Sequence, residues 1–333
     1  MAKYNIAISL GCTNTLIIKS GVGVVLNEPT LLLINPKNIK DDVVAVGNDV
    51  FSNQHKNADY QIVSPVNGGT ITNKEYAKKM LTKYLEKLNE RKFFRGNLLW
   101  LTPTSISDND KNEFINLGYG LGFKNVAVCP SVIAAFQELE VDETNKRAHM
   151  LVDIGGGTTN VSVVLKGKIM QGCTMDFGGN DLDFSVMNYI KNAFNVEVNQ
   201  FYAKKIKENI NSVLPNDTLG CSVVLPDETG VGNELQLTAR ELRNVYIPYF
   251  MDVCACISNV LNLCSNDIVS DIKKTGIYLC GGVANITGLD KFIQGKIGVT
   301  VYLVERPEFT SAFGAEKILN EPEKLDNLIE LNL

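Results

Sequence analysis

Histidine is nearly missing from this sequence: only His55 and His149 occur in 333 residues. Catalysis by a histidine base, or zinc held by imidazoles, has little to work with, and both residues read as structural or surface positions. The eight cysteines include no C-x-x-C pair, and a chain this long can bury a core without disulfide staples. They read as reduced, small apolar fillers. No apolar run approaches the roughly 18 residues that cross a bilayer. No basic block is long enough to grip a phosphodiester backbone, and the net charge is −5 with acids and bases interspersed, so nucleic acid is not an expected partner. The first twenty residues read as strand and turn, with no basic leader region or cleavage site, so a cytosolic protein is expected.

What is present is a repeat. Asn5-Ile-Ala-Ile-Ser-Leu-Gly-Cys-Thr-Asn-Thr-Leu-Ile-Ile-Lys and Met150-Leu-Val-Asp-Ile-Gly-Gly-Gly-Thr-Thr-Asn-Val-Ser-Val-Val each open with an apolar strand. Each turns through Gly and Thr or Asn, returns as a β-branched strand, and turns again at Lys19–Gly21 or Lys166–Lys168. Copies about 145 residues apart predict two similar half-domains, not one continuous sheet. Helical patterns lie between and after them. Apolar residues at three-to-four spacing predict a helix over Asn73–Glu90. A buried-type strand follows at Leu98–Thr102, and a helix over Ser107–Gly118 with Ser107 or Asp108 as its cap. Asp181–Phe194 reads as helix after a Gly-Gly turn. Leu237–Cys264 is the longest helical stretch, with Thr238 as cap and a break or kink expected at Pro248. Ile277–Cys280 is a short strand running into Gly281-Gly282. Strands followed by helices in both halves indicate an α/β protein.

A tight glycine turn exposes consecutive backbone N–H groups, and such a concavity takes phosphate oxygens without a cationic side chain. One such hairpin is weak grounds for a ligand; two copies plus a third Gly-Gly turn predict a nucleotide site. Leu151-Val-Asp-Ile-Gly-Gly-Gly-Thr-Thr-Asn-Val resembles the second phosphate motif of the actin, Hsp70 and sugar-kinase superfamily. Leu279-Cys-Gly-Gly-Val-Ala-Asn-Ile-Thr-Gly-Leu-Asp resembles its adenosine motif. Gly23-Val-Val-Leu-Asn-Glu-Pro-Thr, Val63-Ser-Pro-Val-Asn-Gly-Gly-Thr-Ile, Phe177-Gly-Gly-Asn-Asp-Leu-Asp and Ala203-Lys-Lys-Ile-Lys-Glu are similar to the MreB family within that superfamily. The similarity covers nearly the whole chain.

The resemblance implies an actin-like (ribonuclease H-like) α/β fold, with duplicated domains around an interdomain nucleotide cleft. It implies domain IA at 1–32, 67–144 and 310–333, subdomain IB at 33–66, domain IIA at 145–180 and 240–309, and subdomain IIB at 181–239. ATP or ADP with Mg²⁺ is the implied cofactor. Gly11, Cys12, Thr13 and Asn14 would meet the phosphates from one side, and Gly155, Gly156, Gly157 and Thr158 from the other. Gly179 would join them. Lys204, Lys205, Ile206 and Lys207, with Gly281, Gly282, Val283 and Ala284, would frame the ribose and adenine. A solvated helix face is the competing reading for the lysines, above all Lys204 and Lys205.

Two positions depart from the family. Its first phosphate strand carries Asp where this chain reads Ile8-Ser9-Leu10-Gly11, so Mg²⁺ would be held by the triphosphate, water and Asp153. The family's water-polarising Glu falls 22 residues before Asp153, at Ser131, with Pro130 in place of the preceding acid. A positioned general base contributes about 10²–10⁴-fold. Asp153 and Thr158 remain, so ATP should be bound and hydrolysed slowly or not at all. Glu138 or Glu140 could substitute only through a shifted helix register.

Arg91-Lys-Phe-Phe-Arg stands where MreB relatives carry a bilayer-touching loop. Phe93 and Phe94 among cations suit an anionic interface, with packing under the helix end as the competing reading. The family forms head-to-tail filaments. The expectation is therefore a cytoplasmic, membrane-associated, ATP-binding filament subunit for cell shape or motility, with itself and other MreB-like chains as partners. The alternatives are a non-polymerising pseudo-ATPase that regulates other filament subunits, and a small-molecule kinase of the same superfamily.

Overall fold

Ile6, Ala7 and Ile8 are all buried, because the first strand is covered on both faces. The computed structural model describes residues 5–38, 42–89, 96–139, 147–218, 220–225, 233–321 and 323–324. It divides into two units, residues 1–144 with 309–333, and residues 145–308.

The first unit begins with β1 (Ile6–Leu10), β2 (Asn14–Lys19) and β3 (Gly23–Pro29), an antiparallel meander. Then come β4 (Leu32–Ile34), β5 (Val43–Val46), α1 (Asp49–Asn53) and β6 (Gln61–Val63). β4 pairs with both β5 and β6 in a small separate sheet. A short hairpin of β7 (Val66–Asn67) and β8 (Thr70–Ile71) leads into α2 (Lys74–Lys87), β9 (Asn97–Thr102), α3 (Asp108–Gly120), β10 (Asn125–Pro130) and α4 (Ser131–Glu138). β9 and β10 add to β1 in parallel, giving the order β10-β9-β1-β2-β3. Trp100, Tyr84 and Phe114 fill the space between sheet and helices, each fully buried.

The second unit repeats this plan with β11 (His149–Ile154), β12 (Thr159–Leu165) and β13 (Lys168–Met175) as the meander. After α5 (Gly179–Phe194), α6 (Gln200–Asn209), β14 (Gly220–Leu225), β15 (Asn233–Thr238), α7 (Ala239–Leu263) and α8 (Asn266–Thr275), β16 (Ile277–Cys280) joins β11 in parallel. α9 (Leu289–Ile297) and β17 (Val301–Leu303) complete the order β13-β12-β11-β16-β17. The last helix, α10 (Thr310–Asn320), belongs to the first unit and packs on α4. A Cβ on Gly314 would stand 1.6 Å from the Ala134 carbonyl oxygen, so only glycine permits this approach.

The expected elements are found with shifted ends. Asn73 caps α2 by accepting from the Tyr76 N–H, and Ser107 caps α3 by accepting from the Asp110 N–H. α5 starts two residues earlier than expected, because the Asp181 carboxylate accepts from the Gly178 N–H at 2.8 Å and draws the glycines into the first turn. α7 keeps its Thr238 cap but is one helix through Pro248, with no break. An interior proline costs about 3 kcal/mol. Tyr246, Phe250, Val253 and Ile257 on the same helix are fully buried, and each such side chain contributes about 1.5–3 kcal/mol. Packing outweighs the proline.

Candidate phosphate-binding turns

The two meanders carry the same turn in the same register. In the first unit Gly11 N–H donates to the Asn14 carbonyl at 3.1 Å, and in the second Gly155 N–H donates to the Thr158 carbonyl at 2.9 Å. Leu10 pairs with Thr15 across the first hairpin, as Ile154 pairs with Thr159 across the second. One step back, Ser9 pairs with Leu16 and Asp153 with Asn160. Ser9 therefore occupies, in its own unit, the place that Asp153 occupies in the other. The missing carboxylate is a property of the fold's internal symmetry as well as of a motif. The residue after each turn is a buried threonine. Thr15 hydrogen-bonds the Thr30 hydroxyl at 2.9 Å, and Thr159 donates to the Phe177 carbonyl at 2.9 Å.

In the second unit four segments meet. Asp153 lies near the carboxyl end of β11, half-buried, and desolvation lifts its carboxyl to about 6. Beside it Gly281 adopts φ +87°, and a Cβ there would lie 2.4 Å from Asp153 Oδ1, so the Gly281–Ala284 turn is seated against this carboxylate. Cys280 is buried beside Asp153, and both burial and that neighbouring charge push its thiol well up. The N-terminus of α5 closes the other side. Gly179 N–H donates to the Gly155 carbonyl at 2.9 Å and Asn180 N–H to the Gly156 carbonyl at 2.8 Å. A Cβ on Gly178 would fall 2.6 Å from Gly156.

Lys207 reaches this place from α6. Its ammonium is 2.6 Å from Asp183 and donates to the Gly179 carbonyl at 2.7 Å. Burial lowers the Lys207 pKa and raises that of Asp183, while each partner's charge opposes the shift in the other. The neighbouring lysines behave differently. Lys205 is exposed and lies over the Phe201 ring at 4.3 Å, while Lys204 is 4.0 Å from Glu208 on its own helix. Ile206, Val283 and Ala284 are buried, so they can offer a ligand backbone but not side chain. Gly282 is exposed.

In the first unit the parallel strands β1, β9 and β10 end together, and open α/β sheets bind ligands beyond such carboxyl ends. Ser9 and Gly11 lie at the end of β1. Ser131 follows β10 as the first residue of α4 and is half-buried. The Cys12 sulfur accepts from the Gly69 N–H at 3.2 Å, so a second glycine turn backs this one as Gly178-Gly179 backs the other. Asn14 donates to the Asn27 side chain at 2.6 Å. Thr13 accepts from the Thr30 N–H through its carbonyl. Glu138 is paired with Lys317 at 3.1 Å at the far end of α4; Glu140 lies outside the described residues. Phe93 and Phe94 also lie outside them.

Asp183, Gly69 and Asn27 were not picked out by sequence reasoning as functional. Each lies within a segment that resembles the family, and Asp183 also stands four residues after Gly179, on the same helix face.

The family model for MreB/Mbl protein matches residues 3–327. The cell shape-determining protein MreB of Escherichia coli K12 is 26% identical over 330 residues, covering 96% of this chain and 94% of that one. Among solved structures, Spiroplasma citri MreB5 bound to ADP is 24% identical with a TM-score of 0.89, covering 98% of each chain. A MamK double helical filament is 17% identical with a TM-score of 0.79, covering 96% of this chain and 99% of that one.

Proposed function

The chain belongs to the MreB/Mbl family of actin-like bacterial cytoskeletal proteins, and we propose that it is an ATP-binding filament subunit whose hydrolysis is weak or lost. The observation that carries this reading is the pair of equivalent glycine turns, one flanked by Asp153 and the other by Ser9. The ADP-bound Spiroplasma citri relative supports the choice of an adenine nucleotide.

The residues present fit such a ligand. The Gly155–Thr158 turn is backbone only on its glycine side, so phosphate oxygens can approach closely. The Gly281–Ala284 turn, exposed at Gly282, is suited to the adenosine. Asp153 fits a hard cation such as Mg²⁺ through oxygen contacts, because a desolvated carboxyl gains by meeting a positive charge. When bound, Mg²⁺ supplies charge neutralisation for the triphosphate.

What the chain lacks is the base. Ser131, at the first turn of α4, has no carboxylate to take a proton from water, and a serine hydroxyl near neutral pH is not a substitute. Ser9 removes a second negative charge from the phosphate side. The combination favours holding ATP over turning it over. Glu138 is committed to Lys317 and does not replace the base.

Self-association into filaments and a role in cell shape or motility follow from the family. No described helix is long and apolar enough to cross a membrane. Peripheral contact through Phe93 and Phe94 is part of the proposal; a Phe93→Ser/Phe94→Ser variant that still co-sediments fully with anionic liposomes ends it. The direct test of the main reading is pelleting with ATP and with a non-hydrolysable analogue, followed by electron microscopy. Filaments in both conditions are expected. The double serine substitution equally favours a non-polymerising regulator of other filament subunits, and nucleotide binding without any pellet would favour that reading.

A further inference from the structure

Lys207 carries one of the most deeply buried charges described in the second unit, with 12% of its side chain exposed, against 2% for Asp183. A buried ion pair is tolerable only where further hydrogen bonds satisfy the charges. Here the further bond goes to the Gly179 carbonyl, the first residue of α5. That residue's N–H donates to the Gly155 carbonyl, and the next N–H, of Asn180, to the Gly156 carbonyl. In a trans peptide the carbonyl and the following N–H point in opposite directions. Turning the Gly155 and Gly156 carbonyls towards α5 therefore turns the Gly156 and Gly157 N–H groups away from it, side by side. Two adjacent N–H groups so presented form the concavity that holds an anionic oxygen.

The first turn of α5 thus acts as a template for the phosphate turn, and Lys207 holds the template. Asp183 is on the same face of α5 as Gly179, one turn on, so the ammonium bridges two successive turns of that helix from α6. There is no slack in the contact: a Cβ on Gly179 would lie 3.2 Å from the Lys207 nitrogen, and one on Gly178 would overlap the Gly155 and Gly156 backbone. On the same helix, Lys205 lies over the Phe201 ring instead, and Lys204 acts on the pair only through its charge.

We propose that Lys207 is a positioning residue, which orients the Gly155–Thr158 turn through Asp183 and the Gly179 carbonyl and so governs affinity for the phosphates of the nucleotide, not for its ribose or base. The inference rests on the ATP-binding reading for its ligand, but not for the existence of the pin itself.

Lys207→Met tests it in two ways. In nucleotide-free protein, amide exchange at Gly179 and Asn180 should quicken by roughly tenfold or more while the β11–β12 ladder stays protected. Affinities for a non-hydrolysable ATP analogue with Mg²⁺ and for inorganic tripolyphosphate should fall together, by roughly tenfold or more, with adenosine binding unchanged. Unchanged exchange would overturn the proposal. So would loss of adenosine and ATP binding with tripolyphosphate binding retained, since Lys207 would then touch the nucleoside. Should the single variant fail to fold, Asp183→Asn/Lys207→Met leaves no charge buried, and it must show the same parallel loss; parental tripolyphosphate affinity in it contradicts the pin. If the parent protein binds neither ATP nor tripolyphosphate, the ATP-binding reading fails, and the exchange measurement alone decides the pin.

Discussion

Ser9, Ser131 and Asp153 are the side chains on which the proposed function turns. Ser131→Glu returns a carboxylate to the first turn of α4, where the helix dipole favours an acid by about 0.3–1 kcal/mol, so the variant should fold at least as well as the parent. Its steady-state phosphate release should rise by about 10²-fold or more, and further with Ser9→Asp; an unchanged rate would show that the base position lies elsewhere. Asp153 makes a pH-dependent prediction. Its folded-state pKa of about 6 is above the ordinary 3.8, so in the nucleotide-free protein its ionisation opposes folding. The penalty is absent well below the ordinary value, grows as pH rises through about 4 to 6, and is constant above that. Asp153→Asn should therefore stabilise the second unit at neutral pH by on the order of 2 kcal/mol, and by little at low pH, measured by scanning calorimetry across that range. Ser9 and Ser131 were legible in the sequence because they sit in short motifs at fixed spacing. The Lys207–Asp183 pair was not, because its partners are 24 residues apart and become neighbours only when α6 packs on α5.

At the scale of elements, the sequence located α2, α3, α5 and α7, and capping and packing set their ends. α5 begins at Gly179, not Asp181, because a side chain two residues into the helix caps it backwards. α7 survives Pro248 because the aromatic and aliphatic side chains on either side are buried, something no local propensity reveals. The pairing of α10 with α4 was invisible, since its key is a glycine, Gly314, with a carbonyl at its back. Gly314→Ala should destabilise the first unit by about 3 kcal/mol through overpacking. Trp100, the only tryptophan in the chain and fully buried in that unit, reports the loss as a lower denaturant midpoint in fluorescence. A parental midpoint would mean that the two helices can separate at little cost.

At the scale of the molecule, the duplication read from two strand–turn–strand stretches is the architecture: two five-stranded sheets with the same strand order, each with its glycine turn at the same place. Sequence made the repeat legible because its signal is backbone chemistry, glycine and β-branched residues at fixed positions, and it made the asymmetry between the copies legible as Ser9 against Asp153. The function proposed for the chain is to hold ATP while lacking the group that would cleave it. The most direct measurement is to incubate the protein with ATP and Mg²⁺, remove free nucleotide rapidly, and identify by chromatography what the protein has kept. Intact ATP at close to one per chain is the predicted result; ADP in its place, or no nucleotide at all, would contradict it.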